Sequence, residues 1–449
     1  MELVEACLER ITRAEPLCAF WTVTAEAARG EAKAAESEIA RSGPRHPLHG
    51  IPIAHKDLYD TAGVRTTAGA SFFLDRVPEE DAFTVAKLRT AGAVSLGKLA
   101  MHELAAGADS QNPHFPSCRN PWRRERIPGG SSGGSGVAVA AGLAFAATAS
   151  DTAGSIRIPA SLCGVVGLKP TYGLTSRRGL VPLAWSLDHA GPIARSVLDV
   201  AIVTEAMAGH DPRDPASADR PVPALTAAAR APSVRGLRVA LVRDHSLTGC
   251  APAVGAAVRD AAARLERLGA RVEEVALPAL ERAIGVNSIL LVSEFASLFG
   301  DRYEALGAEA FGEDVATLLR AGGEIPARGY LDAQRQRRRI QREVAAAMAN
   351  VDVLLTPTTG ITAPPIGETL SSIDGVPTPS VMALIRYTAP TNVFGAPALA
   401  LPAGFDDEDL PVSVQLTGRP FEDATLVQAA AALEADLAAS IELRRPFVA

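Results

Sequence analysis

Cysteine is scarce in this chain. Five residues (Cys7, Cys18, Cys118, Cys163 and Cys250) are scattered over 449 positions, with no C-x-x-C pair. An odd, dispersed set argues against a disulfide scaffold or a cysteine zinc site, and points to a reducing cytoplasm. Long apolar runs are missing too. The stretch from Val137 to Ala149 is only roughly 13 residues, too short to span a bilayer, so no membrane partner is expected. The first residues, Met1-Glu2-Leu3-Val4-Glu5, have neither a basic segment nor a cleavage pattern, so no signal peptide is expected. Basic charge is sparse: the net charge is −7, and only Arg335 to Arg342 concentrates arginine. A nucleic-acid partner is therefore not expected. His102-Glu103 has no second histidine four positions on, so there is no zinc-protease motif. No internal repeat or low-complexity tract is present.

What the chain does contain is organised around residues 128–159. A Gly/Ser loop holding Ser131, Ser132 and Ser135 leads into the apolar run, which reads as a buried helix. A second polar turn follows, Asp151-Thr152-Ala153-Gly154-Ser155, and then a strand-like Ile156-Arg157-Ile158. A helix between the turns would bring both to one end of a core. Elsewhere helix and strand patterns alternate. Helices are expected over 2–13, 24–41, 83–91 (with Asp81 as N-cap), 196–207 and 254–268, and through most of 280–350. Strands are expected at 51–55, 94–97, 164–168, 237–242, 272–275, 353–355, 398–401 and 412–416. This alternation predicts an α/β fold. Residues 211–232, rich in Pro, Ala and Asp, read as a surface connection.

Four segments together resemble the amidase signature family of serine hydrolases. They are Gly50-Ile51-Pro52-Ile53-Ala54-His55-Lys56-Asp57, Gly129-Gly130-Ser131-Ser132-Gly133-Gly134-Ser135, Asp151 to Arg157, and Gly164 to Gly173. The resemblance implies a single domain over 1–449, with a large mixed sheet of roughly ten or more strands surrounded by helices. It also implies a Ser-Ser-Lys triad. Ser155 would be the nucleophile, Ser131 (after a cis peptide bond in the family) the relay, and Lys56 the base. Read alone, a lysine after a strand is usually solvated and a serine after Asp-Thr-Ala-Gly is an ordinary turn residue. The flanking motifs single both out.

A lysine accepts a proton only when neutral, so Lys56 must be buried. The backbone N–H groups of Thr152, Ala153, Gly154 and Ser155 are oxyanion-hole candidates. Ser132 is a supporting hydroxyl, and Asp151 and Arg157 are expected to pair across the turn. Where the family commonly has Gly-Gly-Ser, this chain has Ala153-Gly154-Ser155. Alanine disfavours positive φ, so the geometry of the hole is in question. His189 is the nearest rival for a histidine triad and reads as structural. Cys163 reads as packed. In amidotransferase relatives an arginine and an acid hold glutamine. Arg337 and Glu422 match them weakly, and a solvated charged face is the preferred reading.

The expected activity is hydrolysis of a linear amide, with ester or carbamate (urethane) cleavage open, through an acyl-enzyme and without metal or cofactor. A small-molecule amide, ester or carbamate is the expected partner, and a homodimer is left open. The alternatives are the glutaminase subunit of a tRNA-dependent amidotransferase, and an inactive binding relative. Segments 381–385 and 393–397 are expected either to line a channel or to pack as core, with a preference for an apolar substrate over glutamine.

Overall fold

The computed structural model describes residues 1–438 and Pro446. Thirteen strands occur among them: β1 (Phe20–Val23), β2 (Pro52–Lys56), β3 (Val94–Leu99), β4 (Ala146–Asp151), β5 (Val166–Lys169), β6 (His189–Ala194), β7 (Arg238–Val242), β8 (Arg271–Val275), β9 (Val353–Pro357), β10 (Leu370–Ile373), β11 (Val376–Pro379), β12 (Ala398–Phe405) and β13 (Pro411–Thr417). Eleven form one mixed sheet in the order β1-β3-β2-β4-β6-β5-β12-β13-β9-β7-β8, while β10 and β11 make a separate hairpin. Helices cover the sheet, so its central strands read as continuous apolar or small-residue runs, not as alternating ones. Every residue of β2 and β4 is buried.

Strands β2 and β4 run parallel, with Ala54 opposite Ala147. Their C-terminal ends, Lys56 and Ser150-Asp151, therefore emerge side by side, the place where open α/β sheets collect functional groups. The expected single helix over Val137–Ala149 is corrected. A helix spans Gly133–Ala140, Gly142 adopts φ +67°, and the chain returns as β4. Positive φ at Gly142 costs glycine nothing and breaks the helix, and the Ala-Ala-Thr-Ala run then pairs on both edges with β2 and β6. The two serine turns still converge, because a helix running away from the site and a strand running back begin and end at the same place.

Two further expectations are corrected. Ile156-Arg157-Ile158 is not strand-like but opens the helix Arg157–Cys163. Arg157 is drawn inward by its polar partners, and that sets a helical turn. Asp81 does not cap the helix Phe83–Thr90. Its carboxylate accepts from the Ala62 N–H at 2.8 Å and from Arg89 at 2.9 Å. Strands β1 and β6 and the hairpin are absent from the sequence reading. Residues 211–217 are tied down by buried Asp211, Asp214 and Ser217. The helix Ala279–Leu306 is long and apolar enough to cross a membrane by length and composition, but one face packs on the helices Glu313–Gly323 and Ala327–Ala347.

Candidate active site

Lys56 ends β2 with no exposed surface. Its backbone N–H donates to Thr148 Oγ1 at 3.1 Å, which locks the end of β2 to β4. Nζ lies 2.7 Å from Ser131 Oγ and 2.9 Å from Ser150 Oγ, with no carboxylate in direct contact among the described residues. Burial pushes its pKa down to about 7, against the opposing pull of Asp188 and Asp151. Near neutrality a neutral amine can donate to one serine and accept from the other.

The Gly130–Ser131 peptide is cis. Gly130 is required there: a Cβ would come within 2.7 Å of the Asp109 backbone nitrogen. Ser110 Oγ donates to Gly129 O at 2.9 Å and accepts from the Gly133 N–H at 3.0 Å, bracing both sides of the loop. Ser132 bridges to the Ser150 backbone, and Ser135 Oγ donates to Thr148 O at 2.9 Å. Those bonds seat the serine loop on the end of β4.

Turn 151–155 is oriented by its carbonyls. Asn392 Nδ2 donates to Asp151 O at 3.0 Å, Asn287 Nδ2 to Thr152 O at 3.1 Å, and Thr388 Oγ1 to Ala153 O at 2.6 Å. Across a trans peptide the next N–H points the opposite way. The N–H groups of Thr152, Ala153 and Gly154 therefore face away from those anchors, and among the described residues none of them, nor the N–H of Ser155, has an acceptor. Gly154 carries the strained torsion, φ +137°, and a Cβ there would meet Thr388 Oγ1 at 2.3 Å. Ala153 is not among the positive-φ residues, so the alanine departure leaves the turn intact. Ser155 is buried, and among the described residues its Oγ has no hydrogen-bond partner. The structure thus joins Lys56 to Ser131 directly, and brings Ser155 to the same end of β4 with its hydroxyl unpaired.

Asp151 and Arg157 form a fully buried ion pair, with Arg157 Nη2 to Asp151 Oδ1 at 2.8 Å. Burial alone would raise the carboxyl pKa, but the charge and hydrogen bonds of Arg157 hold it well below the ordinary range. Arg157 also donates to Thr388 O, Thr391, Gln415 and Asn392. This one guanidinium fastens turn 151–155 to β13 and the helix Ala389–Phe394. Sequence reasoning missed Ser150, which adjoins the turn, and Asn287, Thr388, Asn392 and Gln415, which lie far away in the chain. It also missed Asp188, which accepts from Thr152 Oγ1 at 2.6 Å. Asp188 precedes His189, and its carboxylate is the group of that dipeptide that bonds the Thr152 side chain. Burial drives His189 well below its usual pKa, its Nδ1 lies 2.7 Å from Leu187 O, and the ring is structural as expected. Cys163 is buried, as expected.

Two cavities meet here, sharing Ala105 and Leu183. One, of about 150 Å³, is lined by Ser155, Thr152, Ala153, Asn287 and apolar side chains including Leu291, Val381 and Ile385. The other, of about 300 Å³, is lined by Ser150, Asp188, Trp185 and three arginines. Of the two late apolar segments, 381–385 gives Val381 and Ile385 to the first cavity and Ala383 and Leu384 to core, while Val393 and Phe394 pack into core. Arg337 is not on a solvated face, which corrects that expectation. It is drawn inward by two carbonyls, donating to Val393 O at 2.8 Å and Ser186 O at 2.7 Å. Glu422 is partly solvated and pairs with Arg419 at 3.1 Å.

Comparison with known proteins agrees with this fold. The amidase family model matches residues 2–427. The A subunit of glutamyl-tRNA(Gln) amidotransferase from Moorella thermoacetica is 44% identical over 458 aligned residues, covering 96% of this chain and 92% of that protein. A chain solved in a vestigial protein complex, one that bears on the origins of an s-triazine catabolic enzyme, superposes with a TM-score of 0.93 at 36% identity. The match covers 97% of this chain and 94% of that one. The corresponding amidotransferase subunit of Thermotoga maritima superposes with a TM-score of 0.81 at 34% identity, covering 100% and 94%. These relatives correct the expected partners, a small molecule with no nucleic acid. A protein 44% identical over nearly the whole chain is a subunit of an enzyme named for a tRNA. The charge argument fails because the net charge of one chain does not report what a larger assembly containing such a chain binds.

Proposed function

Because the chain belongs to the amidase family, whose members act on carbon–nitrogen bonds, we propose that it is the amide-cleaving subunit of an amidotransferase-type assembly, releasing the amide nitrogen of glutamine. The 44% identity over 96% of the chain to an amidotransferase subunit carries this reading. Ser155 Oγ attacks the amide carbonyl as Ser131 takes its proton and passes its own to neutral Lys56. The alkoxide that forms is received by the outward N–H groups of Thr152, Ala153 and Gly154. Reversing the relay protonates the departing nitrogen, and water then cleaves the acyl-enzyme by the same steps. Lys56 is suited to this because it is half neutral at about pH 7.

One observation favours a second reading, a hydrolase acting alone on its own amide. The cavity beside Ser155 is almost wholly apolar, and neither Arg337 nor Glu422 is among its lining residues. Ester or carbamate cleavage would need only a different leaving group.

Two measurements separate these readings. The tagged full chain is captured from its host and copurifying chains and RNA are identified. The purified chain is assayed for ammonia release from glutamine and from neutral amides, with and without the captured partners. Copurifying subunits and a glutamine-specific reaction support the first reading. A free chain that prefers neutral amides and captures nothing supports the second. Absence of an acyl adduct on Ser155, sought by intact mass after rapid quench, would count against both.

A further inference from the structure

The dipeptide His102-Glu103 takes no part in the relay, yet it lies directly behind the wall of the Ser155 cavity. Residues 105–108 and Leu318, on the helix Glu313–Gly323, both line that cavity. Little in the loop holds it in place. Leu104, Ala105 and Ser110 stand at positive φ, which their side chains disfavour. Among the described residues, no backbone N–H or C=O of residues 107–109 is hydrogen-bonded. The His102 ring lies against this stretch, so close that a Cβ at Gly107 would run into the imidazole.

His102 is buried, and a carboxylate stands at each of its ring nitrogens. Nδ1 lies 2.9 Å from Asp109 Oδ1, at the far end of the loop. Nε2 lies 2.8 Å from Asp314 Oδ2, off the line of a straight hydrogen bond, so that contact is an ion pair. Asp314 and Leu318 are four residues apart, on one face of their helix. Glu103 grips the same helix start, accepting from the Gly312 N–H at 2.7 Å and pairing with His114 at 3.2 Å. On the other side the His102 backbone N–H donates to Ser131 O at 3.0 Å.

An imidazole can donate at both nitrogens only as the cation, because the neutral ring presents a lone pair at one of them. Burial opposes the charge, but the hydrogen bonds and charges of Asp109 and Asp314 outweigh it and raise the pKa to about 10. The charge of nearby Glu103 acts in the same direction.

We propose that His102 is a positioning residue, an imidazolium that clasps loop 105–108 to the helix Glu313–Gly323 and so fixes the spacing of two walls of the Ser155 cavity. The kinetic consequence rests on the amide-cleaving reading above; the clasp itself does not.

The test follows the imidazole resonances of the full chain, isotope-labelled at its eight histidines, by NMR from pH 6 to 10. One ring should stay cationic at pH 8, and its midpoint should fall by about 1–3 units in Asp109→Asn and again in Asp314→Asn, which identifies it as His102. Both aspartates are partly exposed, so neither change leaves a new group buried without a partner. Hydrogen exchange then reads the clasp. The Ala316 N–H bonds to Gly312 O at 2.8 Å at the helix start. Its protection should drop in Asp109→Asn at the pH where that ring turns neutral, while the native chain keeps it. Asp109 is remote from this amide, and a plain loss of packing would not follow the ring's titration. For whichever amide the chain turns over, KM should rise about threefold to tenfold with loss of the charge, and kcat should stay within about twofold. A native chain with no cationic ring at pH 8, or a helix start unchanged in Asp109→Asn at every pH, would overturn the proposal, as would a loss confined to kcat. Should no amide be turned over, the amide-cleaving reading falls, and protonation and exchange still decide the clasp.

Discussion

Replacing Lys56 by methionine should stabilise the fold while destroying activity, and the stabilisation should depend on pH in a defined way. In the unfolded chain this lysine has its ordinary pKa of 10.5, and in the fold burial brings it to about 7. The sign follows from proton counting. Between these values the unfolded chain binds more protons, so stability rises with pH. The cost of burying the lysine is fully present below pH 7 and vanishes above 10.5. At about 1.4 kcal/mol per decade, that cost is roughly 4 kcal/mol at pH 7 and roughly 1 kcal/mol at pH 10. Methionine fills the space of the stem without a charge. It forfeits two hydrogen bonds, to Ser131 and Ser150, worth about 1 kcal/mol each. The variant should therefore be more stable than the native chain by about 2 kcal/mol at pH 7, lose its advantage near pH ~9, and be slightly less stable at pH 10. Thermal melts of both chains from pH 6 to 10 measure this, and the difference cancels other titrations such as that of buried Lys98. A variant less stable than the native chain by the same amount at every pH would refute the claim that Lys56 is folded against a protonation cost.

Other consequences are checked more simply. The pH dependence of kcat/KM should rise through a midpoint near 7 as Lys56 loses its proton, and Lys56→Ala should abolish that limb along with most of the rate. Ser155→Ala should lose at least about a thousandfold in kcat with an unchanged melting temperature, since Ser155 Oγ makes no hydrogen bond among the described residues. Arg157→Ala should cost about 3–5 kcal/mol in denaturant titration, because it leaves Asp151 charged and unpaired in the core. Gly154→Ala should destabilise by about 1–3 kcal/mol and slow kcat more than it raises KM, since it displaces Thr388 and turns the N–H groups.

Much of the site was legible because its chemistry is local. Ser131, Ser155 and Lys56 each lie in a short contiguous segment that resembles the amidase family, although composition alone would read them as ordinary turn and solvated residues. Burial of Asp151 with Arg157 could be anticipated from two opposite charges flanking one turn. Asn287, Thr388, Asn392 and Gln415 could not, because nothing near them in the chain calls for a polar group. Their role appears only when the turn carbonyls and Arg157 arrive beside them. Strands β1 and β6 escaped notice for a related reason. Phe20–Val23 is a short edge segment, and His189–Ala194 contains Gly191 and Pro192, so neither shows the apolar alternation that signals a strand. Pairing with β3 in one case, and with β4 and β5 in the other, makes them strands.

Periodicity and turn composition determined the α/β class and most of the elements, and the resemblance of four short segments to the amidase family singled out Lys56, Ser131 and Ser155. Those properties are encoded within a few residues of where they act. Tertiary structure alone decided the protonation of Lys56, the direction of the turn N–H groups, the inward course of Arg337 and the unlike chemistry of the two cavities. Each depends on desolvation and on partners up to 258 residues away, as between Arg157 and Gln415. No window of sequence contains the low dielectric or the neighbours that set those energies.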